Sequence, residues 1–208
     1  MSCAFVTSRI RELPLVLASA SPRRSRILEG LDVDFVHEPH SIDERELPGE
    51  TPEAHVVRLA REKALDTARR RDRGTVLGAD TIVLFEGRVI GKPAGEEDAR
   101  TMLSMLQGRT HDVLTGLALV RASDGAVVSD VERTRVTFRE LDEREIAQYV
   151  AHGEPMDKAG SYAIQDCGAG LVRRVEGCFY NVVGLPVVLL LTLLDDLGAL
   201  EKYERMEA

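Results

Sequence analysis

A chain of 208 residues, 44% hydrophobic and 30% charged, has the length and balance of a soluble globular domain with one real core. Its formal net charge of -8 and its lack of Trp argue against a binder of polymeric nucleic acid, which needs a basic face and gains from aromatic stacking. No linker, repeat or low-complexity tract divides it, so residues 1–208 read as a single domain.

In chain order, Arg9 and Arg11 precede "LPLVLASA", which has the outline of a secretion signal. Glu12 and Pro14 interrupt it and the apolar part is too short, so a buried strand is predicted instead. "SPRRSRILEG" reads as a helix with Ser21 at the N-cap, Pro22 in the first turn and Gly30 as the stop. "DFVHEP" reads as a second strand and "HSIDERELPGE" as an acidic loop. "TPEAHVVRLAREKALDTARRR" predicts a long helix capped by Thr51, with Val57, Ala60, Ala64 and Ala68 as its apolar stripe and Val56 and Leu59 beside it. On that wheel Lys63 falls at the edge of the buried face, and Arg69, Arg70 and Arg71 form a solvated tail.

"TVLGADTIVLFEGRVIGKP" predicts a strand, a turn at Glu86-Gly87 and a return strand. "GEEDARTMLSMLQG" is a helix, and residues 111–138 are two long strands joined at Asp124-Gly125. "DEREIAQYVAHG" is a helix stopped by Gly153, and the Gly-rich residues 158–184 carry short strand-like pieces. "VVGLPVVLLLTLL" is too short to span a bilayer and runs into Asp195 and Asp196, so a core helix from about Pro186 is predicted. Strand–helix–strand–helix followed by antiparallel hairpins predicts an α/β fold on a mixed sheet.

Four segments could carry chemistry. Ser19, Ser21, Arg23 and Arg24 sit at a helix start, where free N–H groups and guanidinium donors suit an anion; an ordinary capped surface helix is the alternative. Asp80 lies inside an apolar strand, where it needs a partner: Thr81, a lysine or a metal ion, unless it caps a bulge at a strand end. Lys92 projects from the rigid "GKP" turn, or is simply a turn lysine. Gln165 precedes a Gly-rich loop and could read a base edge or satisfy loop backbone. Taken together, Arg23, Arg24, Lys63 and Lys92 with the carboxylates Glu44 and Asp80 suit cation-assisted phosphoryl chemistry on a nucleoside triphosphate. No GxxxxGK[ST] is present, so this is no P-loop protein. The odd cysteine set, Cys3, Cys167 and Cys178, has no C-x-x-C pair and reads as reduced cytosolic thiols. His37 and His40 are neighbours without a Cys or third His to complete a zinc set, so no zinc site is expected.

In this order, "LASASPRR", "SIDE", "RLAREKA", "LGADTIV", "GKP", "DKAGSYAIQ" and "GCFYNVVGLP" closely resemble the Maf family of nucleotide pyrophosphatases, also called septum formation inhibitor-like proteins. The resemblance spans a core of about residues 13–195. It implies a fold similar to that of inosine triphosphate pyrophosphatases: a long bent mixed sheet flanked by helices, with two lobes around a deep cleft. It implies hydrolysis of a nucleoside triphosphate to the monophosphate and pyrophosphate with Mg²⁺ or Mn²⁺. "SPRR", "GADT" and "IQ" are similar to the type acting on dTTP and UTP. The implied proton acceptor is Asp80; Ser19, Arg23, Arg24, Lys63 and Lys92 hold the triphosphate; Arg23, Thr81 and Gln165 select the base. Glu44, with Asp80, is the implied cation ligand, and the adjacent Asp43 is its chemical equivalent. The alternatives are a pyrophosphatase for 7-methyl-GTP or other nucleotides, and a non-catalytic nucleotide-binding regulator of cell division. A cytoplasmic homodimer with a house-cleaning role is expected, with no nucleic-acid polymer or membrane as partner.

Overall fold

The computed structural model describes residue 10 and residues 14–200; Cys3, Arg9, Arg11 and Glu12 lie outside the described residues. The first strand, β1 (Leu15–Ala18), is wholly buried, as its unbroken apolar run requires. Helix α1 (Pro22–Gly30) follows with Ser21 at its N-cap and Pro22 in its first turn. Next come β2 (Phe35–His37) and the long helix α2 (Pro52–Ala68), where Thr51 Oγ1 accepts the Ala54 N–H at 3.2 Å. Strands β3 (Thr75–Phe85) and β4 (Arg88–Ile90) turn at Glu86-Gly87, both in the left-handed region that such a two-residue hairpin needs. Helix α3 (Glu96–Leu106), the hairpin β5 (Thr110–Arg121) and β6 (Val127–Phe138), and helix α4 (Glu143–Ala151) follow, the last opened by a capping box of Asp142 and Glu145.

The sequence expectation fails over residues 158–184. Instead of several strand pieces there are two 3₁₀ turns (Ala159–Ser161, Asp166–Leu171), preceded by a third (Glu154–Asp157), then one strand β7 (Val172–Glu176) and a short helix α5 (Phe179–Val183). Ser161 and Asp166 join Gly153, Gly160, Gly177 and Gly184 at positive φ, which breaks any extended run. Helix α6 (Val187–Asp196) begins just after Pro186, as predicted. No helix among the described residues is long and apolar enough to cross a membrane.

The strands form one seven-stranded mixed sheet in the order β2-β1-β3-β5-β6-β7, with β4 also on β3. β1 lies parallel to both β2 and β3, and the remaining pairs are antiparallel. Along the β1 edge of β3 there is a gap. β1 covers Thr75–Gly78 and β4 covers Val83–Phe85, leaving the stretch around Asp80 and Thr81 free on that side. On its other side β3 pairs with β5 in continuous register from Thr75 to Leu84.

Helix α2 packs on one sheet face, against Val16, Val76, Ala118 and Val120. It comes so close that a Cβ on Gly78 would stand 2.0 Å from the Ala60 carbonyl and one on Gly116 2.3 Å from that of Val56. The opposite face carries two apolar groups. Leu77, Leu117 and Leu119 pack under α1 and α6, while Val83, Val113 and Phe138 pack under α3 and α4. Between them the strand residues turn polar, at Thr81 and Thr115.

Candidate active site

A cavity of about 370 Å³ opens at the gap bordered by the ends of β1, at Ala18, and of β4, at Ile90. Its lining includes Ser21 and each residue that the resemblance implies for the site: Ser19, Arg23, Arg24, Glu44, Lys63, Asp80, Thr81, Lys92 and Gln165. Sheet alternation sends Asp80 toward α2 and Thr81 to the other face, and the gap in the sheet lets both reach one cavity.

Asp80 is 8% exposed and lies in unbroken ladder, so it caps no bulge. Its partner is Lys63, whose Nζ stands 2.7 Å from Asp80 Oδ1 and 2.8 Å from Glu44 Oε1. The stripe expected on α2 is therefore rotated. The buried positions are His55, Val56, Leu59, Ala60, Lys63, Ala64, Thr67 and Ala68, so Lys63 sits within the stripe and Val57 at its margin. A buried ammonium is tolerated there because two carboxylates meet it. The tail arginines are not free either: Arg70 and Arg71 both pair with Glu38.

Burial pushes the Glu44 carboxyl up, but the hydrogen bond and charge of Lys63, helped by His40 and Lys92, outweigh it and hold the group below its ordinary value. The adjacent Asp43 points elsewhere, bound to Arg45 and outside the cavity. His40, which no sequence argument selected, also lines the cavity and stands 3.7 Å from Glu44. Burial first, then the charge of Lys63, lowers its pKa.

Arg24 is 8% exposed and fixed through three donors. Nε donates to the Gly184 carbonyl at 2.8 Å, Nη1 to Ser19 Oγ at 2.8 Å and Nη2 to Thr81 Oγ1 at 3.0 Å. Burial pulls its pKa down to about 10, which leaves it charged at neutral pH. A guanidinium has five N–H donors, so two remain for a ligand. Arg23, by contrast, reaches across to Asp157 at 3.2 Å, and Asp157 in turn pairs with Lys158 at 2.6 Å. These two residues of "DKAGSYAIQ" line the cavity and were given no role by the sequence. Lys92 and Gln165 are exposed on the cavity wall.

Ser21 occupies the N-cap, yet its hydroxyl caps nothing. Ser19 Oγ accepts the Ser21 N–H at 3.2 Å as well as the Arg24 donor. With both lone pairs in use, the Ser19 hydroxyl has only its proton left to offer, which suits an anionic oxygen.

Thr81 is set the opposite way. Thr115 Oγ1 donates to the Asn181 carbonyl at 3.0 Å, and a hydroxyl has one proton. The 2.9 Å contact between Thr81 and Thr115 must then be donated by Thr81. Since Arg24 uses one Thr81 lone pair, Thr81 can only accept from a ligand. Asn181 is fully buried and holds this network to β5 and β6 through Nδ2, at 2.9 Å from both the Val113 carbonyl and Thr134 Oγ1. Thr115 and Asn181 went unnoticed in the sequence, although "LTG" interrupts an otherwise apolar strand.

The Maf-like protein family model matches residues 14–197. A protein of Geotalea uraniireducens named dTTP/UTP pyrophosphatase is 47% identical over 187 residues, covering 90% of this chain and 96% of its own. Proteins of the same name from Geobacter sp. strain M21 and Myxococcus xanthus are each 50% identical, covering 89% and 88% of this chain and 96% and 92% of theirs. The match runs from β1 to the end of α6 and so takes in the whole cavity: the chain belongs to the Maf family.

Proposed function

We propose that this chain is a nucleoside triphosphate pyrophosphatase that converts dTTP and UTP to the monophosphate and pyrophosphate. The observation that carries the reading is the pair of opposed hydroxyls, Ser19 offering only a proton and Thr81 only a lone pair. Thymine and uracil present an N–H at ring position 3, which Thr81 can accept. Cytosine presents a lone pair there, which Thr81 cannot meet, and an unpaired buried polar group costs about 1–3 kcal/mol. Gln165 has amide donors for the base carbonyls beside that N–H, and Arg23, on the same cavity wall as Arg24, would help select the base.

Arg24, Arg23 and Lys92 form the cationic wall for the triphosphate with the Ser19 hydroxyl beside them, and the anchored Arg24 and Ser19 favour the charge that develops as the leaving group departs. Asp80 uses only Oδ1 on Lys63, which leaves Oδ2 to take a proton from water. That water oxygen bonds to the α-phosphorus, the bond to the bridging oxygen breaks and pyrophosphate departs. Asp80 Oδ1 and Glu44 Oε1, from separate segments, converge on one ammonium, so two hard oxygen ligands are already gathered. That donor set fits Mg²⁺ or Mn²⁺, which when bound would neutralise phosphate charge. The two apolar groups on either side of the cavity support a two-lobed reading of the cleft.

The test is a panel of triphosphates with a readout specific for pyrophosphate. Pyrophosphate release from dTTP and UTP, with little from dCTP, is expected. Cleavage of 7-methyl-GTP or purine nucleotides with dTTP and UTP left intact would overturn the substrate reading. Binding of dTTP with no turnover under any divalent cation would overturn the enzyme reading in favour of a regulator.

A further inference from the structure

Outside the cleft, the chain gathers a second set of ligand-type side chains. His152 caps the C-terminal end of α4, and Gly153, in the left-handed region, turns the backbone so that Glu154 follows at once. Cys167 arrives from the 3₁₀ turn Asp166–Leu171. One ligand atom from each of His152, Glu154 and Cys167 lies within 4.8 Å of the others. His152 Nε2 and Cys167 Sγ are 3.7 Å apart. Around a tetrahedral ion with metal–sulfur and metal–nitrogen bonds of about 2.3 and 2.0–2.1 Å, such atoms stand roughly 3.5 Å apart.

Both sides of the set are held in place. Glu154 Oε2 accepts the Gly168 N–H at 3.0 Å, and Tyr149 also hydrogen-bonds the carboxylate, which anchors it beside the cluster. Gly168 is pressed against Ala163, where a Cβ would be 2.1 Å from the carbonyl, so the turn carrying Cys167 is fixed from behind. Supports of this kind orient metal ligands. Glu154 is half-buried, while His152 and Cys167 are exposed, which gives an ion a path in.

We infer that His152, Glu154 and Cys167 form a surface site for a thiophilic divalent cation of the zinc type, distinct from the oxygen-only site of the cleft. Thiolate and imidazole favour zinc or cobalt over magnesium, and three protein ligands leave a fourth position for water. The spacing of 152, 154 and 167 matches no zinc motif, which is why the sequence reading found none. An ion here ties the end of α4 to the turn beside Gln165, with only Asp166, at φ 52, between Gln165 and Cys167.

The test is titration of the full chain with Co²⁺ alone, without nucleotide, followed by absorption. A thiolate-to-cobalt charge-transfer band saturating at about one equivalent is expected, displaced by Zn²⁺ but not by excess Mg²⁺. Cys167→Ser should abolish it and His152→Ala weaken binding at least tenfold. Cys3→Ser, Cys178→Ser and Asp80→Asn should leave it unchanged, the last keeping this site separable from the cleft. No band, or a band that survives Cys167→Ser, overturns the site.

Discussion

Asp80 and Thr81 are neighbours on one strand with opposite kinds of surroundings. On the α2 side, Asp80 meets charge: Lys63, Glu44 and, farther out, His40. On the other side, Thr81 meets the neutral hydroxyl of Thr115, itself donated to the Asn181 carbonyl, and among the described residues Arg24 is its one charged partner. Ion pairs at a cavity mouth can exchange partners as phosphate, cation and water arrive. A hydroxyl network anchored on fully buried Thr115 and Asn181 is shut off from water, and its direction is set by the Thr115 donation to the Asn181 carbonyl, which the Gly184 N–H also meets. The difference assigns chemistry to the first side and selection to the second.

The largest effect expected is on the ionic side. Asp80→Asn keeps the shape and removes the proton acceptor, so pyrophosphate release from dTTP should fall by about 10²–10⁴-fold while dTTP binding by calorimetry persists. Turnover within a few-fold of wild type would break the comparison at its first term.

Acid should separate the two sides next. On the face that carries Thr115, His111 is buried against Tyr162, a cavity residue, with Nε2 at 2.8 Å from the phenol oxygen. Burial lowers the pKa of His111 from 6.5 to about 4. The unfolded chain therefore takes up this proton at higher pH than the folded one. The folded state keeps its full stability above about pH 6.5 and loses it as the pH falls toward about 4, by on the order of 3 kcal/mol. His111→Phe keeps the edge-on ring packing with Phe138 and Tyr162 and should flatten that slope in urea unfolding. An unchanged slope would show that the selecting side carries no acid-sensitive support. The Glu44 pKa is lowered as well, and there the cause is the hydrogen bond and charge of Lys63 overcoming burial, so this carboxylate stays charged to lower pH than a free one.

The subtlest effect sharpens the second term. Thr115→Val removes the acceptor that fixes the Thr81 proton, so Thr81 becomes able to donate. The preference for dTTP over dCTP should shrink by about tenfold or more, while Thr115→Ser restores it. A purely structural role would lower both rates together and leave their ratio alone.

Much of this was legible in the sequence, and the reason is local grammar. Pro22 opened α1 and Gly30 is its last residue, Thr51-Pro52 opened α2, and Glu86-Gly87 set a hairpin, because helix ends and turns depend on a few adjacent residues. The set Ser19, Arg23, Arg24, Glu44, Lys63, Asp80, Thr81, Lys92 and Gln165 was legible by resemblance, and the fold brings all of it to one cavity. What was not legible depends on distant pairing. Nothing local says that β1 and β4 share one edge of β3 and leave a gap at Asp80. Nothing local says that Gly78 and Gly116 admit α2 so closely that Lys63 is buried. Thr115 and Asn181 meet across 66 residues, and His152 and Cys167 meet only because a run that read as strand pieces coils into 3₁₀ turns.

The division between Asp80 and Thr81 is tested most directly by one ratio. Pyrophosphate release from dTTP and dCTP is measured side by side in wild type, Asp80→Asn and Thr81→Val. Asp80→Asn should lower both rates and preserve their ratio, whereas Thr81→Val should collapse the ratio and keep dTTP turnover within about tenfold of wild type. A ratio that shifts in Asp80→Asn, or that survives in Thr81→Val while turnover is lost, would contradict the assignment of chemistry to one residue and selection to its neighbour.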